Sequence, residues 1–172
     1  RFMELIKNYE KINYSDFKKI KYDQKYPDSL VLIGNIKSVF DLNNNDFLEY
    51  SDLLSLIKKW DKKGDYNNLG AAQWSTYYNF MLKELAEKNH DIEDTIPKEY
   101  HLNALKKSKK YLLKHFGKID VILGDLQRHT RGKINLPVSG LIDMIAPSHV
   151  RSHENGKLKV VSGESYIMLV QY

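Results

Sequence analysis

The sequence predicts an α+β fold in which residues 1–117 are helical and residues 118–172 form strands and loops. Before Gly117, apolar side chains recur at the spacing of amphipathic helices. After Gly117, short β-branched runs alternate with Gly, Pro and Ser, a pattern typical of strands joined by turns. The composition, 42% hydrophobic and 28% charged over 172 residues, is that of a folded protein with a hydrophobic core.

Helical periodicity covers most of the first part of the chain. In order, the predicted helices cover residues 2–9, 17–24, 30–40, 53–60, 70–85 and 100–116. Ser15 is expected to cap the second helix, because a serine hydroxyl accepts a hydrogen bond from a free amide at a helix start. Pro27 interrupts the pattern after that helix. Gly117 is expected to end the last helix, since glycine readily adopts the left-handed conformation found there.

Three strands are predicted after Gly117, at Ile119–Leu123, Leu158–Val161 and Ser165–Tyr172. The last contains the apolar run Tyr166–Val170, which does not alternate with polar residues. Such a run favours a strand that is covered on both faces, inside a sheet. The short tail of this chain hardly supplies the neighbours that an interior strand needs. We therefore expect the last strand to contribute to a larger sheet built mostly from other sequence.

Several classes of protein are excluded by composition. The chain has no cysteine, which excludes disulfides, thiolate metal sites and a cysteine nucleophile. No apolar run approaches the roughly 18 residues of a transmembrane helix, so no membrane span is expected. The first residues, RFMELIKNYE, lack the apolar core of a signal peptide, and any export signal is expected to lie outside this chain.

The net charge of +5 is concentrated in lysines between residues 106 and 118. A basic stripe with Tyr111 and Phe116 as stacking side chains would be typical of a protein that binds nucleic acid or another acidic partner. Helical spacing favours a different interpretation, in which the lysines form the solvated face of an amphipathic helix. We therefore expect no nucleic-acid partner. The buried stripe of that helix is predicted to consist of Leu102, Leu105, Leu112, Leu113 and Phe116.

The segment DLNNNDFLEYSD, Asp41–Asp52, resembles a calcium loop. Its oxygen-bearing residues Asp41, Asn43, Asn45 and Asp52 match the first, third, fifth and twelfth positions of an EF-hand, and Glu49 could bind through water. A single EF-hand-like calcium-binding helical module is therefore one alternative for this chain.

Two departures weaken the calcium interpretation. Asp46 occupies the sixth position, where the sharp turn calls for glycine, and Asp52 replaces the longer glutamate that binds calcium with both oxygens. EF-hands usually occur in pairs, and the sequence has no second copy. We predict a polar connection between helices, without a bound ion.

Three segments of the chain resemble one enzyme family in their order and motifs. The first, Trp60–Leu85, has a Trp-Asp pair and then Gly-Ala-Ala at the start of an aromatic-rich helix. The second, GDLQRHTRGKINLPVSGLIDMI, has a Gly-Asp element followed by Arg and His, and then Leu-Pro-Val. The third, NGKLKVVSGESYIMLVQY, has a Gly-x-Ser-aromatic strand. Together they resemble the C-terminal part of the catalytic β chain of penicillin acylases, in the branch of aculeacin and acyl-homoserine-lactone acylases.

The resemblance implies a self-processing amidohydrolase of the N-terminal nucleophile class, with a layered αββα sheet. Its substrate would be a small acyl amide, such as a penicillin or an acyl-homoserine lactone. An N-terminal Ser hydroxyl attacks the carbonyl, and its own α-amino group serves as base, because an amine with a pKa near 8 accepts a proton readily. That serine lies upstream of this chain, so the chain alone is expected to be inactive.

The resemblance also implies partners and a compartment. The partners would be the α chain and the upstream part of the β chain, and the location would be periplasmic or secreted. No cofactor is expected within this chain. The resemblance leaves open a structural calcium site elsewhere in the parent protein. Where the family commonly has Trp before the Gly-Asp element, this chain has Leu123.

Arg1 is the one candidate catalytic residue. In the family, an Arg that opens an Arg-x-x-Glu-Ile-like helix lies beside the active site, and RFMEL places Arg1 in that position. The resemblance implies a supporting role for Arg1; the alternative is a solvated residue at a helix start. Other polar residues are interpreted as structural: Arg128, His129 and Arg131 are expected to hold a loop. His149 and His153 are not expected to bind metal, since Pro147 and Gly156 oppose a helix there.

Overall fold

The computed structural model describes residues 1–28, 34–91, 93–163 and 168–170. It confirms the α+β class, with helices before Gly117 and a four-stranded mixed sheet after it. The α-helices are α1 Phe2–Ile6, α2 Tyr14–Lys21, α3 Ser51–Lys58, α4 Ala71–Glu87, α5 Lys98–Phe116 and α6 Leu123–Leu126. Short 3-10 helices span Gly34–Asp41, Asn44–Tyr50 and Glu154–Gly156. The strands are β1 Gln127–Arg131, β2 Ile134–Pro137, β3 Ser148–Ser152 and β4 Leu158–Gly163.

The two long helices confirm the prediction from periodicity. At the end of α5, Gly117 has a φ of +71° and donates its N–H to the carbonyl of Leu113 at 3.0 Å. At the start of α2 the predicted cap was wrong: Ser15 lies inside the helix, and Asn13 accepts the N–H of Asp16 at 2.9 Å. Asn13 can cap because its own backbone is extended, as a capping residue requires.

Two predicted helices differ from the structure, the one at residues 30–40 in type and the first one in length. Residues 30–33 lie outside the described part of the chain, and Gly34–Asp41 is a 3-10 helix. The first helix, α1, ends at Ile6 rather than at Tyr9. Across the described ranges, no helix is both long and apolar enough to cross a membrane.

The sheet has the strand order β2-β1-β4-β3. A tight turn at Gly132, with a φ of +58°, joins β1 to β2 as an antiparallel hairpin. Strand β4 pairs with β3 in antiparallel and with β1 in parallel orientation. β4 confirms the strand predicted at Leu158–Val161. Strands β1 and β3 were missed because their sequences are mostly polar, and β2 was missed because it is only four residues long and ends in proline.

The strand predicted at Ile119–Leu123 was wrong. This segment makes one isolated bridge, between Leu69 and Ile122, and α6 begins at Leu123. The side-chain amide of Gln73 donates to the carbonyls of Ile119 and Val121, so these acceptors are satisfied without a neighbouring strand.

The strand predicted at Ser165–Tyr172 falls mostly outside the described residues. The described part, Met168–Val170, belongs to no strand of this chain, and Met168 is 64% exposed. The strands that the structure describes all lie within residues 127–163. Pairing with sequence outside the chain stays a prediction.

The core surrounds α4, whose Trp74 is 1% exposed and stacks on Trp60 at 5.7 Å between ring centroids. The stripe of buried leucines through which α5 packs on α4 is narrower than predicted. Leu105 and Leu112 are fully buried, but Leu102 and Leu113 are 38% and 46% exposed, which corrects the prediction for these two. Inward positions on α5 are taken instead by polar side chains with buried partners, His101 and Ser108.

Candidate functional site

The first two segments that carry the family resemblance meet at the loop of residues 61–70 between α3 and α4. Gly124 donates its N–H to the carbonyl of Tyr66 at 2.5 Å, and Leu123 donates to that of Asn68 at 3.1 Å. A Cβ at position 124 would lie 2.8 Å from the carbonyl oxygen of Tyr66 and 2.8 Å from Cβ of Pro137. We call this contact region, residues 61–70, 122–128 and 136–140, the junction.

The 61–70 loop is held in shape by its own side chains. Asp61 accepts hydrogen bonds from the backbone N–H of Lys63 at 3.0 Å and the side-chain amide of Asn68 at 2.8 Å. The indole of Trp60 donates to the carbonyl of Lys63 at 2.8 Å. At Gly70, with a φ of +100°, a Cβ would lie 2.7 Å from Cβ of Trp60. The Trp-Asp pair and the glycine before α4 therefore shape one compact turn.

Two buried glutamines hold the segments of the junction and its neighbours together. Gln73, in the first turn of α4, accepts the N–H of Gly70 at 2.7 Å and donates to the segment before α6. Gln127, which is 1% exposed, donates to the carbonyls of Val138 at 3.2 Å and Gly140 at 2.8 Å. Gly140 in turn donates to the carbonyl of Gly64 at 2.7 Å. The sequence analysis missed both glutamines; their signal is a polar amide at an otherwise buried position.

Arg1 reaches the junction indirectly. Its guanidinium contacts both carboxylate oxygens of Asp23, at 3.0 and 3.1 Å, and Glu4 at 3.1 Å. The hydrogen bond to Asp23 is the main cause that raises the pKa of Arg1. The carbonyl of Gln24, the next residue, accepts the N–H of Gly64 at 2.7 Å.

Arg1 is therefore not a solvated residue in this structure, since its side chain is 17% exposed and engaged by carboxylates. It anchors the segment that pairs with the 61–70 loop. A supporting catalytic role for Arg1 in the parent enzyme stays a prediction.

The residues of the calcium-like segment are engaged in a different way from EF-hand ligands. Asn43 accepts the N–H of Asn45 at 3.0 Å and so caps a 3-10 helix. Asp52 accepts the N–H of Leu53 at 2.7 Å and forms an ion pair with Lys109 of α5 at 2.8 Å. Asp41 is the last residue of the preceding 3-10 helix. In the described ranges, no three His, Cys, Asp or Glu side chains are grouped to hold a metal ion.

Arg128, which was expected to hold a loop, lies on strand β1 and has a structural role there. Its guanidinium donates to the side chain and the carbonyl of Asn135, both at 2.7 Å, and to the carbonyl of Gly124 at 2.9 Å. This fixes the β1–β2 hairpin against the junction. His149 lies on β3 and His153 follows that strand, so the two histidines do not share a helix face.

A buried Ser, His and Tyr form a hydrogen-bonded array that the sequence analysis missed. The hydroxyl of Tyr77 lies 2.6 Å from Nδ1 of His101, and Nε2 of His101 lies 3.2 Å from Oγ of Ser38. Burial raises the pKa of Tyr77 well above its usual value, so its hydroxyl keeps the proton and donates to Nδ1. His101 then carries its proton on Nε2 and donates to Ser38.

This array is not arranged for nucleophilic catalysis. The hydroxyl of Ser38 donates to the carbonyl of Asn35 at 2.6 Å, and the histidine nitrogen facing it already carries a proton. A nucleophilic serine needs a basic nitrogen to accept its proton. The array instead ties a 3-10 helix, α4 and α5 together. The sequence carried a signal for the burial of His101. It shares one face of α5 with Leu105, Ser108 and Leu112, at spacings of three and four residues.

The sequence matches none of the models of known protein families, and a search of the curated proteins found no match either. Function is therefore inferred from the sequence motifs and the geometry described above.

Proposed function

We propose that this chain is the C-terminal part of the catalytic chain of a penicillin-acylase-like amidohydrolase, and that its role is to support the active site. The observation that carries the proposal is the packing around Gly124. There the first two of the three segments that resemble the family contact each other, although they are far apart along the chain. The third segment contacts the second through the parallel pairing of β4 with β1.

The packing at Gly124 gives a physical reason for the motifs. A side chain at position 124 would collide with the backbone of the 61–70 loop and with Pro137 of the Leu-Pro-Val element. Glycine is the residue that permits such a close approach of two backbone segments. The motifs of the first two segments are thus fitted to one another, as expected if they were retained together in a family of related enzymes.

The junction is suited to support rather than to chemistry. Its buried polar groups are mostly amides and backbone carbonyls that bond one another, and none is a base facing a hydroxyl within the described residues. An enzyme gains rate by holding its reacting groups in a fixed geometry, which needs a rigid surrounding shell. A junction that is held by many hydrogen bonds and lies next to the upstream part of the parent chain would supply that rigidity.

In the proposed parent enzyme, the N-terminal hydroxyl forms the acyl-enzyme, and amide donors stabilise the oxyanion by about 3 kcal/mol each. Those groups belong to upstream sequence. Arg1 would extend the support towards them, because it fixes Asp23 and the segment that pairs with the 61–70 loop.

The proposal is tested by expressing the complete gene product that contains this chain. We expect mass spectrometry to find two chains, with a new N-terminal Ser on the chain that carries residues 1–172. The purified protein should hydrolyse at least one of the phenylacetyl, octanoyl and long-chain acyl chromogenic amides. Replacing the new N-terminal Ser by Ala should abolish both processing and hydrolysis.

The 172-residue chain alone is the matched control and should hydrolyse none of these amides. A gene product that stays as one uncleaved chain and hydrolyses no acyl amide would contradict the proposal. So would hydrolysis by the 172-residue chain that survives repurification and is lost on mutating one of its own serines.

A further inference from the structure

A cavity of about 210 Å³ lies between α4 and the outer half of the sheet. Its wall on α4 consists of Thr76, Asn79, Phe80 and Lys83, which share one helix face through their spacing of three and four residues. Strand β3 forms the opposite wall. Of the side chains that line the cavity, Leu126 is shared with the junction.

One wall of this cavity is apolar. Leu126 and Leu158 are buried side chains, and Phe80 and Val150 pack against the same core. Tyr111 also lines it, but the tyrosine hydroxyl is already bonded to the carbonyl of Gly156 at 2.6 Å. The part of a ligand that lies against this wall would therefore meet carbon, which favours an apolar tail there.

The exposed residues that line the cavity are polar, and two of them are positively charged. Lys83 lies over the ring of Phe80, with Nζ 5.5 Å from the ring centroid, and Arg151 projects from β3. Neither cation makes an ion pair within the described residues. No acidic side chain in that part of the chain lines the cavity, and Asn79 and Ser152 add neutral hydrogen-bonding groups.

We propose that this cavity binds a small carboxylic acid with an unbranched apolar tail, of the octanoate type, with the tail inside and the carboxylate between Lys83 and Arg151. The guanidinium of an arginine matches the two oxygens of a carboxylate, and the lysine adds a point charge. This site is independent of the proposed acylase activity, because its two cations lie outside the junction and it uses no upstream residue.

Calorimetry with the 172-residue chain tests the proposal. Sodium octanoate below its micelle concentration should bind saturably, and octanol and octylamine should bind at least about tenfold more weakly. Octanoate binding should weaken as sodium chloride is raised, because exposed charges are screened by salt.

Charge-reversal variants locate the site. Lys83→Glu and Arg151→Glu should each weaken octanoate binding about tenfold or more, whereas Lys110→Glu, the same change on the solvated face of α5, should leave it unchanged. Circular dichroism of each variant checks that the fold is intact. Equal binding of octanol, undetectable binding of octanoate, or an equal loss in Lys110→Glu would overturn the proposal.

Discussion

The carboxylate of Glu84 on α4 accepts hydrogen bonds from Lys107 at 2.6 Å and Asn103 at 2.9 Å, both on α5. Glu84 is 3% exposed, so these hydrogen bonds lie in the interface between α4 and α5. Burial raises the pKa of Glu84, but the hydrogen bonds from Lys107 and Asn103 outweigh it, and the net pKa lies below the usual 4.5. The packing of α4 on α5 is therefore expected to depend on the protonation of Glu84 and so on pH.

The first prediction concerns acid stability. Because the pKa of Glu84 is lower in the folded than in the unfolded chain, its contribution is full above about pH 4.5 and is lost as the pH falls through the folded value. Glu84→Gln should remove this part of the acid destabilisation in urea unfolding experiments. Glu87→Gln is the matched control, since Glu87 is 64% exposed and 3.7 Å from Lys107. Identical pH profiles for Glu84→Gln and Glu87→Gln would contradict the assignment.

The second prediction concerns His101, which affects stability over a higher pH range than Glu84 does. Burial lowers its pKa from 6.5 to about 4, so the folded state prefers the neutral ring. Stability is full above pH 6.5 and falls as the pH drops towards 4, since the unfolded chain binds the proton more readily.

His101→Gln should flatten the stability profile between those values, with urea unfolding as the measurement. His129→Gln changes an exposed histidine on β1 and should leave the profile as it is. A wild-type profile that is flat from pH 6.5 to 4 would exclude a neutral buried His101.

The third prediction concerns Gly124. Gly124→Ala should lower the melting temperature, because the new Cβ would lie 2.8 Å from both Tyr66 and Pro137; overpacking costs about 1–3 kcal/mol. Gly132→Asn is the control: its position has open space around it, and asparagine tolerates its φ of +58°. In the complete gene product, Gly124→Ala should also reduce acyl-amide hydrolysis. Equal melting temperatures for the two variants would refute the proposed close packing.

The fourth prediction concerns calcium. Millimolar calcium should leave the melting temperature unchanged, since a ligand that binds only the folded state must raise it at high excess. In the structure Asp52 pairs with Lys109 and Asn43 caps a helix, so neither is free to bind an ion without losing these contacts. A saturable rise in melting temperature that Asp41→Ala abolishes would restore the EF-hand interpretation.

The fifth prediction concerns the C-terminal apolar run in the complete protein. If Tyr166–Val170 is an interior strand there, its amides should exchange slowly with solvent, and Leu169→Lys should reduce activity far more than Lys157→Ala. Hydrogen exchange followed by mass spectrometry measures this directly. Rapid exchange through the whole run in an active enzyme would show that it is not an interior strand.

Some elements of this fold follow from local sequence patterns, whereas others depend on contacts between distant parts of the chain. Helices α4 and α5, the end of α5 at Gly117 and strand β4 follow from periodicity and from glycine conformation, which depend on neighbouring residues. The polar strands β1 and β3 carry no apolar alternation and exist because partner strands supply hydrogen bonds. The segment Ile119–Leu123 shows the converse, an apolar run that Gln73 holds outside any strand.

By itself, the sequence determined the α+β class, the division near Gly117, the absence of cysteine chemistry and the order of the motif segments. Only the tertiary structure decided that Arg1 is bound by Asp23, that Gly124 contacts Tyr66 and Pro137, and that His101 joins Tyr77 to Ser38. Periodicity depends on residues a few positions apart, whereas each of these contacts joins residues that are distant in the chain. Their geometry is defined only when the hydrophobic core brings the helices and the sheet together.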